Sequence, residues 1–183
     1  MGQTPDEREH RKIEKKEPIR SSIGTGNMAR VLAGRALAGG NAVEVIGRDA
    51  SKADALVGSI GGGATTGRIG TAPAGDIVIL ALPYADAAPV VRQLGNALSG
   101  KVIVDITNPF NPNLTGLVTP EGSSAAQEIA KAAPAGAHVV KAFNTVLKTP
   151  TSGTRPRSVA LAAEKNPPSN FISLPSGHRG STR

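Results

Sequence analysis

Cysteine is absent from the 183 residues, which excludes disulfides and thiolate metal sites. Tryptophan is absent too, and Phe and Tyr bring the aromatic fraction to only 2%. A core must then be assembled from small and β-branched aliphatic side chains. That favours helices packed closely on a sheet over an aromatic-rich sandwich. No segment approaches the roughly 18 to 20 apolar residues of a membrane helix. The charged N-terminus lacks the apolar run of a signal peptide. A cytoplasmic location without a membrane partner is the expectation. No Ser/His/Asp set, carboxylate pair or metal-ligand cluster stands out.

What is abundant is glycine, at 22 residues, and positive charge, at a net +7. The charge is unevenly spread. Residues 1–20 and 21–146 each carry a net +1, whereas residues 147–183 hold six basic residues against one acidic, a net +5. A basic tail rich in Pro and Ser reads as disordered. Without interleaved aromatics or a reading motif it does not point to nucleic acid.

Three zones follow from composition. Residues 1–17 form a charged extension, read as disordered or as a solvated helix with no apolar stripe to dock it. Residues 18–146 alternate apolar runs with helical stretches. Residues 147–183 form the tail, with one short helix expected over Ser158 to Glu164.

The middle zone has a regular rhythm. Apolar runs at 42–47, 76–83, 101–109 and 137–144 lack polar alternation, as strands covered on both faces do. A weaker strand is expected over Ala64 to Ile69. Helices are expected over Asn27 to Leu37, Ser51 to Val57, Ala85 to Leu98 and Pro120 to Ala132. In the first of them Met28, Val31, Leu32 and Leu37 are the apolar positions. Strand and helix alternate, so the fold class is α/β: βαβ units with right-handed crossovers building a mainly parallel, layered sheet.

The stretch "IGTGNMA", Ile23 to Ala29, matches G-x-G-x-x-G/A at Gly24, Gly26 and Ala29. Gly24 allows a tight turn out of a strand. Gly26 lets backbone approach a pyrophosphate. Ala29 lets the helix pack close to the sheet. The helix N-terminus then offers unpaired N–H groups and partial positive charge to the phosphates. A second strand ends at Ile46, roughly 20 residues on, where NAD sites place an acid. Here Arg48 follows, with Lys52 one turn later. Cations at this tip favour the 2′-phosphate of NADP, because guanidinium binds phosphate through a planar fork. Asp49 complicates that pair unless it caps the next helix. Leu82-Pro83 and Asn108-Pro109 close two further strands, and Asn108 offers donors and an acceptor suited to a ribose or a carboxamide.

Other polar residues read as structural. Lys141 and Asn144 would point to opposite faces of a strand. Asp76 and Asp105 are single carboxylates, and His138 is a lone histidine before an apolar run.

Together, "IGTGNMARVLAGRALAGGNAVEVIGRD", "DIVILALPYADAAPVV", "GKVIVDITNPFNP" and "VVKAFNTV" resemble the coenzyme F420-dependent NADP oxidoreductase family over roughly Ile23 to Val146. Its wider relatives include pyrroline-5-carboxylate reductases and the reductase domains of metalloreductases. The resemblance implies a Rossmann-type domain, a doubly wound, mainly parallel sheet in three layers that binds NADP(H), and hydride transfer to a deazaflavin (F420) or flavin-type acceptor. It places the pyrophosphate at Gly24, Thr25, Gly26, Asn27 and Met28. It places the 2′-phosphate at Arg48 and Lys52, and the nicotinamide beside Leu82, Pro83, Asn108 and Pro109. Ring-to-ring hydride transfer depends on positioning, so the resemblance names no catalytic residue.

The family pattern breaks at two borders. Arg20, Ser21 and Ser22 stand where the family's first strand is normally apolar, which leaves two alternatives: Arg20 within the strand at a cost in burial, or Arg20 just outside the sheet with only Ser21 to Ile23 pairing. After Val146 the tail replaces the part that completes the acceptor site and often a dimer. The expectation is a truncated, poorly active oxidoreductase; a homodimer stays open although its usual C-terminal part is absent. The alternatives are a non-catalytic NADP-binding or regulatory module, and a basic-tailed interaction protein.

Overall fold

A computed structural model describes residues 19–143. The expected N-terminal extension, the basic tail with its short helix, and Asn144 lie outside them.

Eleven elements alternate along the described chain: β1 (Ile19–Ile23), α1 (Asn27–Ala38), β2 (Ala42–Gly47), α2 (Ala50–Ile60), β3 (Thr65–Arg68), β4 (Ile77–Leu80), α3 (Tyr84–Leu94), a single 3-10 turn (Gly95–Leu98), β5 (Val102–Asp105), α4 (Ala125–Ala132) and β6 (His138–Lys141). The strands form one parallel sheet in the order β3-β2-β1-β4-β5-β6. This is the doubly wound Rossmann arrangement. The strand order reverses between β1 and β4, which opens a crevice at their carboxyl ends.

Two apolar clusters lie on the two faces of the sheet. Val43 and Val45 of β2 join Ala29 and Ala33 of α1 and Ala53 and Leu56 of α2 on one face. Ile23, Ile46, Val78, Leu80, Ile103 and Val139 pack with α3 and α4 on the other. Alternation along β2 accounts for the split, because neighbouring side chains point to opposite faces. The expectation of strands covered on both sides is corrected for β4 and β5, where buried residues alternate with half-buried ones. Among the described residues, α3 and α4 cover one face of that half, while α1 and α2 lie over the β1–β3 half of the other face.

Alanine carries the contact of α1. Ala29 and Ala33 are buried, whereas Met28 and Val31 are 46% and 53% exposed. Of the larger apolar residues, Leu37 packs against the same cluster. Helix boundaries also shift for local reasons. Asp49 caps α2 by accepting from the Lys52 N–H at 3.3 Å, so α2 starts ahead of Ser51. Ser124 and Gln127 form a capping box at α4, so the helix begins at Ala125, five residues after Pro120.

β1 keeps Arg20 within the strand. It is five residues long, and Arg20 pairs with Val43 on one side and Ile77 on the other. Arg20 is half-buried rather than interior. Ser21 is fully buried, and its place in the sheet is filled by hydrogen bonds. Its hydroxyl donates to Glu44 Oε2 at 2.6 Å and accepts the Gly75 N–H at 2.9 Å. Glu44 Oε2 also accepts the Ala74 N–H at 2.9 Å. A polar patch thus replaces apolar contact where β1 and β2 meet the turn before β4.

Candidate dinucleotide site

The crevice begins where β1 hands over to α1. The Gly24 N–H donates to the Ile46 carbonyl at 2.8 Å, and the Ala81 N–H donates to the Ile23 carbonyl at 2.8 Å. These bonds draw three strand ends together. Gly24 has φ +125°, and a Cβ there would run into the Ala81 carbonyl oxygen, so the turn needs glycine on two counts. Gly26 follows as the N-cap of α1 and has no side chain to cap it. The first helical bond runs from the Arg30 N–H to the Gly26 carbonyl at 3.0 Å, which leaves the preceding N–H groups pointing outward. A Cβ on Gly26 would meet nothing within 4 Å. Open space therefore lies directly above a positive helix end, the cradle that a phosphate requires.

A cavity of about 250 Å³ lies against that end. Gly24, Thr25 and Gly26 line it on one side, Arg48 and Lys52 on another, and Leu82 and Pro83 on a third. A second cavity of about 340 Å³ shares Gly26, Leu82 and Pro83 and continues past Asn27, Met28, Tyr84, Thr107 and Asn108. Ten of the eleven residues singled out in the sequence thus gather along one cleft. Pro109 lines neither cavity; with Asn108 it faces a third, of about 220 Å³, beside Phe110, Ser124 and Lys141.

Arg48 is largely exposed, with a side-chain exposure of 68%, and meets Asp86 of α3 at 3.1 Å. An exposed pair of this kind contributes about 0–1 kcal/mol, so the guanidinium is readily exchanged to another anion. Asp49 is occupied as the cap of α2 and meets Lys52 Nζ at 3.8 Å. Tyr84 at the start of α3 has its phenol pKa raised, first by burial and then by the negative charges of Glu128 and Asp105. Glu128 lies in the first turn of α4, where the Lys131 ammonium and the Ser123 hydroxyl hold its carboxyl below the usual range. Among the described residues no three His, Asp or Glu side chains gather as a metal site, and no helix is long and apolar enough to cross a membrane.

Sequence reasoning missed several residues of the cleft and its support. Asp86 reaches Arg48 from a different strand-helix unit, and Ile69 after β3 lines the first cavity. Asp105 and Lys141 form a buried pair at 2.7 Å, with side-chain exposures of 0% and 14%. Asp105 Oδ1 also accepts the Thr107 N–H at 2.7 Å, and Lys141 Nζ donates to the Thr107 carbonyl. The signal was the parallel register, which sets Asp105 opposite Lys141. It is readable only once β5 and β6 are known to be neighbours.

Residues 22–109 match the family described as NADP oxidoreductase coenzyme F420-dependent, which bears out the resemblance carried by the motifs. No curated protein matches the sequence. Among solved structures, hypothetical protein SMa0349 from Sinorhizobium meliloti is similar at 24% identity and a TM-score of 0.63, covering 74% of this chain and 65% of that one. The imine reductase BcSIRED from Bacillus cereus BAG3X2 is similar at 26% identity and a TM-score of 0.52, covering 69% of this chain and 40% of that one. The chain thus spans less than two thirds of the length of either structure.

Proposed function

We propose that the cleft binds NADP(H) and that the chain serves hydride transfer between the nicotinamide and a deazaflavin (F420) or flavin-type acceptor. The observation that carries this reading is the open space over Gly26 at the uncapped end of α1, flanked by Arg48 and Lys52. The pyrophosphate would lie on the N–H groups of α1, and the 2′-phosphate against Arg48 and Lys52. Asp86 would release Arg48 to it, since a phosphate offers a bidentate, doubly charged partner in place of one exposed carboxylate. Leu82, Pro83 and Asn108 would border the nicotinamide end.

Bound NADPH would supply a hydride from its nicotinamide ring to the acceptor ring, with the balancing proton drawn from solvent. The protein's part is to hold two rings in line, which needs no acid or base at the reacting carbon. The family match of residues 22–109 supports the oxidoreductase reading.

Calorimetric titration with NADPH and NADH tests the cofactor assignment. Arg48→Ala should weaken NADPH by about tenfold or more, in keeping with a charge-assisted bond worth about 1.5–3 kcal/mol, and leave NADH nearly unchanged. Equal losses for the two would sink it. NADPH oxidation with a deazaflavin or flavin acceptor then tests turnover.

A further inference from the structure

Thr107 follows β5 at the cleft end of the sheet. It is 2% exposed, and its Oγ1 has no hydrogen-bond partner. It also lines the 340 Å³ cavity, together with Met28, Pro83, Tyr84 and Asn108. A buried hydroxyl without a partner is destabilising and calls for an explanation. The other such group, Ser22 Oγ, sits within β1 and lines none of the three cavities.

The backbone of Thr107 is fixed from both sides. Its N–H donates to Asp105 Oδ1 at 2.7 Å, and its carbonyl accepts from Lys141 Nζ. Asp105 and Lys141 are themselves tied at 2.7 Å in a nearly dry pair. Charge-assisted bonds of this kind resist rotation of the peptide units they grip. The backbone of Thr107 is thereby held beside the cavity, with the buried hydroxyl still unpaired.

We infer that the Thr107 hydroxyl is a recognition group for the carboxamide of the nicotinamide ring, with Asp105 and Lys141 as positioning residues behind it. The inference rests on the NADP(H) reading. In that reading the cavity lies beyond the pyrophosphate loop, at the end where the ring would enter. A hydroxyl both donates and accepts, so it can meet either half of a carboxamide. A bond there fixes which way the ring is flipped and so which face meets the acceptor.

The test titrates the full chain with NADPH and with 2′-phospho-ADP-ribose, which keeps the phosphates and ribose but lacks the ring. Thr107→Val should weaken NADPH by about five- to tenfold, the scale of one buried hydrogen bond, and leave 2′-phospho-ADP-ribose unchanged. Thr107→Ser should restore NADPH binding. The ligand-free Thr107→Val chain should melt no lower than the wild type, since valine fits the site without an orphaned oxygen. Equal losses for both ligands, no loss for NADPH, or a lowered melting point would overturn the inference while leaving the cofactor reading intact. A wild-type chain that binds neither ligand would overturn both.

Discussion

Replacing Lys141 with Met should destabilise the domain by about 3–5 kcal/mol, the cost of leaving one partner of a buried pair uncompensated. The estimate follows from geometry. Asp105 has no exposed side-chain surface, and its Oδ2 is held by the Lys141 ammonium at 2.7 Å. Its Oδ1 keeps the Thr107 N–H, so half the carboxylate stays satisfied while the other half faces a methyl group. The Thr107 carbonyl loses its lysine as well. Domains of this size are stable by about 5–15 kcal/mol, so the loss is a large part of the whole. Urea unfolding followed by far-ultraviolet circular dichroism measures it, with constant slope as the condition for comparison. The double variant Asp105→Leu with Lys141→Met removes both charges and should recover most of the loss, because apolar replacement of a whole buried pair is often neutral or favourable. A single variant costing under about 1 kcal/mol would refute the argument. So would a double variant no more stable than the single.

Ser21→Val offers a second test. A valine suits a central strand by propensity, yet here it would orphan the Gly75 N–H and take the 2.6 Å donor from Glu44. Urea unfolding should show a loss of about 1–3 kcal/mol, and a gain would show that the hydrogen-bonded patch contributes nothing. Tyr84 is the only tyrosine of the chain, and there is no tryptophan, so tyrosinate absorbance reports it alone. Its midpoint should lie above the ordinary value of 10.0. The unfolded chain loses that proton first, so stability should fall as pH rises from the ordinary value towards the raised one. A midpoint at or below the ordinary value would contradict the burial of the phenol.

The parts of the fold legible in the sequence are those set by local pattern. Residues 42–47 read as a strand and form one with the same bounds. The glycine loop and the downstream cations are set by spacing, and they reach the same cleft. What stayed hidden depends on partners far along the chain. Ser21 looked unfit for a sheet interior because its partners, Glu44 and Gly75, are 23 and 54 residues away. Asp105 and Lys141 read as isolated charges for the same reason, being 36 residues apart. The close packing expected at Ala29 is found there and is repeated one turn on at Ala33. The overlong strand expected at 101–109 stops at Asp105 because that carboxylate turns back to take the Thr107 N–H.

The central place of β1 also has a consequence during synthesis. A chain emerged only as far as residue 75 can pair β1 with β2 and β2 with β3, but β1 then has one free edge, and β4 is the strand that covers it. Until β4 emerges, the N–H and C=O groups along that edge are open to pairing with another chain. A nascent chain that has emerged only as far as residue 75 is therefore a three-stranded template for aggregation, and a pause at that stage of emergence would lower the yield.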